Sequence, residues 1–454
     1  MFLRADEYLR AFGRFQRNAQ LYLLSNALSG VSLGILLVLY NLYLISLGYK
    51  TDFIGLVLFV GTLGAGLAIF PAGICIDRFG GKVTLIWTNL LIGAIGAGQI
   101  LFRQPLPLLI TAFAAGIVGA FFYVINAPYL MSNSSQPERA NLFSLNIVLG
   151  LITTVLGEVI GGALPGWFQH VPWLQWLMAP LPSSLSWLLA GQSVPRSYQL
   201  ALLFAGLLAI PSLIPIFLLN DDRPAKAVRE EESTPTAPLS KRRWTQVISE
   251  YMLIATTWFH THSIQKTLVS AFSVMLLVQA LIGLGAGLFI PYFNVYFVQQ
   301  LHASPALFGL IDGGANTINA ILTLLAPWLA LRIGKINTIT FTRLLSIPLL
   351  LTIGLTSLLP LAALLYLLRQ GMMDMSLGVF QVYSMEVVPP QRRGVANSSY
   401  QVAMQASAVT TPIGGLIIAH MGFPPVFFVG AILYIMAIAL LWGRFKREER
   451  QVSV

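Results

Sequence analysis

The chain has 454 residues, of which 56% are hydrophobic and only 10% charged, with a mean hydropathy of +0.76. Soluble domains carry about 25% charged residues, so a string of soluble domains is excluded. The 27 Lys and Arg against 17 Asp and Glu leave a net charge of +10, but most basic residues lie in short segments between apolar runs, which marks membrane topology and argues against a nucleic-acid-binding face.

Residues 1–20 place Arg4, Arg10, Arg14 and Arg17 among Phe2, Leu3, Leu9, Phe12 and Phe15. They lack the continuous apolar core and small-residue cleavage site of a signal peptide. They read as a cytoplasmic basic amphipathic segment at the membrane surface, in preference to an organelle transit peptide. Apolar stretches of the ~20 residues needed to cross a bilayer then recur near 21–47, 53–76, 83–102, 106–131, 141–164 and 198–219. A second set follows near 272–298, 307–332, 336–358, 361–387, 395–419 and 425–443. The runs are too long and too evenly apolar for barrel strands. The expected fold is an all-α polytopic membrane protein with two transmembrane halves, 21–219 and 272–446, joined by a cytoplasmic linker over 220–271 and followed by a tail over 447–454.

Two further apolar stretches are not counted as spans. The first, 173–190, is interrupted by Pro180 and Pro182 and is read as a surface segment anchored by Trp167, Trp173, Trp176 and Trp187. The second, 247–259, is short, contains Glu250 and follows Lys241, Arg242 and Arg243, so it is read as an amphipathic helix along the cytoplasmic leaflet. Before it, 221–240 is rich in charge and proline, the composition of a flexible linker. With the N-terminus inside, Arg78, Lys82, Arg139, the linker, Arg332, Lys335, Arg392, Arg393 and 444–450 all collect on the inner side. The outer loops hold only Lys50, Arg103 and Arg196. The asymmetry predicts a multi-pass cell-membrane protein with both termini cytoplasmic. The single cysteine, Cys75, allows no intrachain disulfide.

The two halves repeat one another. Asn26, Gly30, Gly34, Asn41 and Tyr43 match Gln279, Gly283, Gly287, Asn294 and Tyr296 at an offset of 253. One inserted residue later the offset is 254, and Gly55, Arg78, Gly80, Tyr129, Met131, Arg139 and Ser144 match Gly309, Arg332, Gly334, Tyr383, Met385, Arg393 and Ser398. Six spans per half make the repeat parallel, a device of secondary transporters. On a helix Asn26, Gly30, Gly34 and Asn41 fall within about 80°, so small and polar groups share a face. The glycines suit close helix packing, whereas buried amides at Asn41 and Asn294 need partners or water and are candidates for a cavity wall.

The loop Gly73-Ile-Cys-Ile-Asp77-Arg78-Phe-Gly80-Gly81-Lys82 resembles the signature loop of the major facilitator superfamily. A degenerate copy, Arg332-Ile-Gly334-Lys335, follows span 8, and Gly81 replaces the usual basic residue. The resemblance covers nearly the whole chain. It implies two six-helix bundles that rock around a central cavity lined by spans 1, 4, 7 and 10, a small-molecule substrate, and a functional monomer. It also implies that Asp77 latches the halves against the start of span 11, near Val395; the alternative is a solvated turn. Arg139 and Arg393, in matching loops, are read as gate or topology residues. Tyr123 and Asn126 in span 4, with Asn26, Gln279 and Gln381, complete the candidate cavity.

Charges within spans are costly by at least a few kcal/mol and mark function or pairing. Asp374 and Arg369 lie in span 10 but about 140° apart around the helix. Asp374 shares a stripe with Gln370, Gly378 and Gln381 and is a candidate proton carrier, while Arg369 is a candidate anion contact; a structural ion pair is the rival for both. Glu158 in span 5 and Asp312 in span 8 are further proton-coupling candidates. The segment around Gly157, Glu158, Gly161 and Gly162 resembles the family's antiporter signature, with Glu158 where Pro is usual. The leading expectation is proton-coupled efflux of an amphipathic compound, the alternative proton-coupled uptake of an organic anion or polyol. A membrane enzyme or a non-transporting receptor is the rival of another class. His170, His260, His262, His302 and His420 all fall outside the spans and form no H-E-x-x-H motif, so neither a metal nor a cofactor is expected.

Overall fold

The structure, a computed structural model, describes residues 13, 15–135, 138–179, 182, 188–220, 271–388 and 393–452. Residues 1–12, the linker with the surface helix expected at 247–259, and Trp187 lie outside them. Among the described residues all regular structure is helical, and eleven helices are long and apolar enough to cross a bilayer.

The first half contains α1 (Arg17–Ser46), α2 (Thr51–Phe79), α3 (Gly81–Leu101), α4 (Pro105–Ser132), α5 (Arg139–His170) and α6 (Ser193–Ala209). Beyond Ala209, Pro211 and Pro215 divide the end of α6 into a 3-10 turn, Ile210–Ser212, and a last helical turn, Leu213–Phe217. The second half contains α7 (Ala271–Phe289), α8 (Pro305–Ile333), α9 (Lys335–Leu355), α10, α11 and α12 (Pro424–Val452). Of these, α10 is two segments, Leu359–Asp374 and Leu377–Glu386, and α11 is likewise divided into Arg393–Met404 and Ser407–Met421. The sequence predicts one continuous span over 361–387. The break follows Asp374 directly, so neither segment alone has spanning length, a form in which transporter helices often place polar groups at mid-membrane. In α7, Pro291 has no N–H to continue the helix, and the chain passes through Ile290–Tyr292 into a π-helical turn, Tyr296–Gln300.

Helix packing inside each half follows the repeat. In lipid, helices gain little from hydrophobic burial against each other and associate through close contact at small residues. A methyl group on Gly34 of α1 would overlap the Thr154 carbonyl of α5, and one on Gly287 of α7 would overlap the Ser407 carbonyl of α11. These contacts are equivalent by the offset of 253. The Tyr43 hydroxyl donates to the Ile100 carbonyl at 2.7 Å, and Tyr296, its equivalent, donates to Ile353. The turns joining α2 to α3 and α8 to α9 rest on Gly80 and Gly334, with φ of 82° and 88°, a region that side chains with a Cβ disfavour.

The halves meet at the end of the bundle away from the chain termini. There α2 packs on α11 and α5 on α8, and α1 crosses α7 at Asn41 and Asn294. Cross-half hydrogen bonds cluster at this far end: Asn41 with Pro291 and Asn294, Asn294 with Val38, Thr51 with Gly415, and Asn316 with Glu158.

Candidate functional site

The wall supplied by the first half is an amide ladder across three helices. Asn26 of α1 donates to Asn146 of α5 at 2.9 Å, and Asn146 donates to Asn126 of α4 at 3.4 Å. Three residues before Asn126 on α4, Tyr123 is 84% exposed. The wall is polar and uncharged.

The second half carries most of the ionisable groups. Helices α8 and α10 run side by side and are joined by three successive rungs, Tyr366 to Asp312 at 2.7 Å, Gln370 to Asn316 at 3.1 Å and Asn319 to Asp374 at 3.5 Å. The rungs recur because residues three and four apart lie on one face of each helix. Glu158 of α5 enters this row from the other half. It is 2% exposed, and both its carboxylate oxygens lie 3.1 Å from Asn316 Nδ2. No ion pair to Glu158 occurs among the described residues, and the charged group beside it is Asp312.

Behind α10 lie two buried guanidinium groups. Arg369 sits 5.2 Å from the Phe289 ring centre and 5.9 Å from that of Phe293, and donates to Tyr434 of α12 at 3.4 Å. Arg343 of α9 is 1% exposed and sits 4.6 Å from the Phe380 ring centre. Its Nε and Nη1, and the Nε of Arg369, have no hydrogen-bond partner. Stacking on aromatic faces compensates part of the loss of water around a guanidinium. The charged neighbours of Asp374 are these same two arginines. Three carboxyls (Glu158, Asp312, Asp374) and two guanidiniums thus share one region, so a single proton brings the set to neutrality.

The remaining sequence candidates are distributed as follows. Asn41 and Asn294, 8% and 5% exposed, are enclosed in the far-end contact of α1 with α7. Gln279 of α7 has its Oε1 buried without a partner, and Gln381 of α10 is exposed. At the terminal end, Arg78 lies 5.5 Å from the Phe79 ring centre and Arg332 lies 4.2 Å from that of Trp328. Gly73 lies within α2, and Lys82 in the first turn of α3, where Thr84 donates to the Gly80 carbonyl at 2.8 Å. Asp77 belongs to α2, and Arg139 and Arg393 begin α5 and α11, but their side chains lie outside the described residues.

Sequence reasoning left out Asn146, Asn316, Asn319, Tyr366, Arg343 and Tyr434. A polar stripe was present for two of them, since Asp312, Asn316, Asn319 and Thr323 are spaced by four, three and four residues along span 8. Arg343 is a charge inside an otherwise apolar stretch, the same signal that marked Asp374.

The family model described as Major Facilitator Superfamily matches residues 22–277 and 275–454. The Uncharacterized MFS-type transporter YhhS of Salmonella typhimurium (strain LT2) is 33% identical over 118 residues, 26% of this chain and 29% of the relative. Its Escherichia coli (strain K12) counterpart is 30% identical over 122 residues, 27% of this chain and 30% of the relative. The matches span less than a third of the length of these curated relatives. A bacterial homologue of the human lysosomal transporter Spinster, in an inward-facing and occupied conformation, superposes with a TM-score of 0.68 at 14% identity, covering 94% of this chain and 96% of that one. A D-xylose–proton symporter superposes with a TM-score of 0.63 at 13% identity, covering 94% and 97%. Likenesses at this identity establish the shared fold.

Proposed function

The chain belongs to the major facilitator superfamily, and on that premise we propose that it moves a small molecule across the cell membrane by alternating access, coupled to protons at Asp374. The observation that carries this reading is the position of Asp374. It stands on the half-buried α8–α10 row, at the break of α10, with Arg343 and Arg369 as its charged neighbours. A proton on Asp374 removes its attraction for both guanidiniums and so alters what holds the two segments of α10 in line. A ligand shifts the protein between two states only by interacting differently with each, and this carboxyl differs in charge between them.

On this reading the protein works as a monomer with both termini cytoplasmic, so the far end, where Asn41, Asn294, Thr51 and Glu158 bond across the halves, faces outward. The substrate that suits the walls is an amphipathic compound with a cationic head, exported from the cell. Asp374 offers it the carboxylate, Tyr123 an aromatic surface, and Asn26, Asn146 and Asn126 neutral hydrogen bonds. Arg369 is turned toward Tyr434 and two phenylalanine rings, which favours a cation over an anion. A second reading, a polyol taken up with protons, is supported by the amide ladder, whose donors and acceptors match hydroxyl groups.

The test is proton movement in liposomes holding the purified protein and a pH-sensitive dye, as cationic amphiphiles, polyols and organic anions are added in turn. One class should drive proton flux in the wild type and none in Asp374→Asn. Substrate flux without proton flux in the wild type would overturn the coupling, and proton flux retained in Asp374→Asn would move it to another residue.

A further inference from the structure

The two seams that close the far end are built to one backbone plan. In the α2–α11 seam Gly55 lies against the Thr411 carbonyl and Gly415 against the Thr51 carbonyl. In the α5–α8 seam Gly309 lies against the Glu158 carbonyl and Gly162 against the Pro305 carbonyl. Each contact maps onto its counterpart through the repeat offset of 253 or 254. Backbone meets backbone in both, and a methyl group on any of the four glycines would overlap the opposite half.

The side chains are not alike. Where the α5–α8 seam has Glu158, Asp312 and Asn316, the α2–α11 seam has Thr411, Leu58 and Thr62 at the equivalent positions. Thr62 and Thr411 turn their hydroxyls to carbonyls of their own helices, Leu58 at 3.0 Å and Ser407 at 2.9 Å. Glu158 instead reaches across the seam to Asn316. The titratable groups that face it are Asp312 from α8 and Tyr366 from α10. On its other side α1 presents Val31, Gly34 and Ile35, none of which titrates. The internal repeat thus supplies its own comparison: one geometry, ionisable on one side of the molecule and not on the other.

We propose that the α5–α8 seam is a proton-operated latch, with Glu158 setting the pH dependence of far-end opening, while the α2–α11 seam contributes closure without pH dependence. The closed seam holds Glu158 as the carboxylic acid, one of whose oxygens accepts from Asn316. When its O–H bond breaks and water takes the proton, the carboxylate shares the seam with Asp312 and no cation, and like charges in one site oppose each other. Parting the halves admits water to both. The latch rests on the proposed proton coupling but uses a group other than Asp374.

The experiment places spin labels at cysteines replacing Lys50 and Met421, exposed residues flanking the α2–α11 seam, in a Cys75→Ser background. This readout lies away from Glu158 and reports rocking of the whole far end. In the wild type the ratio of long to short distances should rise with pH by up to about tenfold per unit, the limit for one proton. Glu158→Gln keeps an acceptor for Asn316 and should leave the ratio within about twofold, well short of that one-proton slope. Thr411→Val, in the other seam, should leave the wild-type pH dependence. Asn316→Asp adds a third carboxyl to the seam and should favour the long distance throughout the alkaline range, which keeps a result available should Glu158→Gln fold poorly. A pH-indifferent wild type, or a pH response surviving in Glu158→Gln, would overturn the latch. The liposome assay separates it from the coupling reading. Proton flux with a pH-indifferent far end retires the latch alone, and a pH-responsive far end without substrate-driven proton flux retires the coupling and leaves the latch as a pH gate.

Discussion

Asn41 and Asn294 occupy equivalent positions in the two halves and hydrogen bond to each other, Asn41 Nδ2 lying 3.4 Å from Asn294 Oδ1. Each also donates to the carbonyl three residues before the other: Asn41 to Pro291 at 2.7 Å and Asn294 to Val38 at 3.2 Å. The contact is self-complementary in the manner of a twofold dimer interface. It places a symmetric clasp where α1 crosses α7.

Such a clasp makes the two residues energetically dependent on one another. Asn41→Leu takes the donor from the Pro291 carbonyl and Asn294→Leu that from the Val38 carbonyl, and each removes the Asn41–Asn294 bond, at about 1–3 kcal/mol. Both should shift the Lys50–Met421 label pair toward the long distance. The double variant should fall short of the sum by about 0.5 kcal/mol or more, and strict additivity would show that the amides act separately.

The charge set around Asp374 predicts a rescue. Asp374→Asn leaves Arg343 and Arg369 without the carboxylate beside them, and a buried charge left uncompensated destabilises the fold. Its thermal unfolding in detergent should occur well below the wild type. Adding Arg343→Gln removes the most enclosed surplus charge and should recover part of the loss. If the double variant is no more stable than Asp374→Asn, Arg343 is compensated by something other than Asp374.

The tyrosine clamps offer a direct measure of how alike the halves are. Tyr43→Phe and Tyr296→Phe each delete one hydroxyl bonded to a carbonyl of the neighbouring helix. Each should cost about 1 kcal/mol of thermal stability, with similar values for both. A large inequality would mean that the halves unfold separately and that one of them sets the observed transition.

At the seams, size is the variable. Gly309→Leu and Gly55→Leu insert side chains where carbonyl oxygens of the opposite half already lie. Overpacking typically costs about 1–3 kcal/mol, which moves the open-to-closed ratio at the far end by about fivefold or more. Both variants should lengthen the label distance and depress transport. Normal transport in either would mean that the far end need not close this tightly.

The spans, the repeat and the intramembrane charges were legible because each leaves a linear trace: apolar length, a constant offset, a charged letter in an apolar run. What those traces lack is the partner. Helical arithmetic puts Asn41 on the same face as Gly34 but cannot say that the face meets its own repeat, so a closing contact reads as a cavity wall. The break in α10 was hidden because Met375 and Ser376 carry no helix-breaking signal and the apolar run continues to Phe380. Arg369 and Asp374 each stand out as charged letters in span 10, yet only the packing of α9 and α12 reveals Arg343 and Tyr434 beside them. Glu158 and Asp312 were legible as single charged residues, but the contact between their helices runs through Asn316, whose side chain bonds Glu158 across the seam.

Arg196 carries the last prediction. It reads in the sequence as one of few outer basic residues, a topology marker, yet it is 4% exposed. Its Nε donates to the Ala190 carbonyl at 2.7 Å, and Nη1 to those of Met178 and Ala179 at 2.8 Å and 2.5 Å. One guanidinium thereby ties both ends of the connection between α5 and α6, which begins with the 3-10 segment Pro172–Met178 carrying exposed Trp173 and Trp176. Hydrogen bonds from a charged group are worth about 1.5–3 kcal/mol each, and Lys at this position reaches fewer carbonyls than the guanidinium fork. Arg196→Ala should therefore release the connection to limited proteolysis added from the far side of the membrane, with Arg196→Lys intermediate. Because the connection belongs to neither seam, transport should change far less than cleavage rate. Equal protease resistance in all three proteins would show that the tryptophans, rather than Arg196, hold the connection in place.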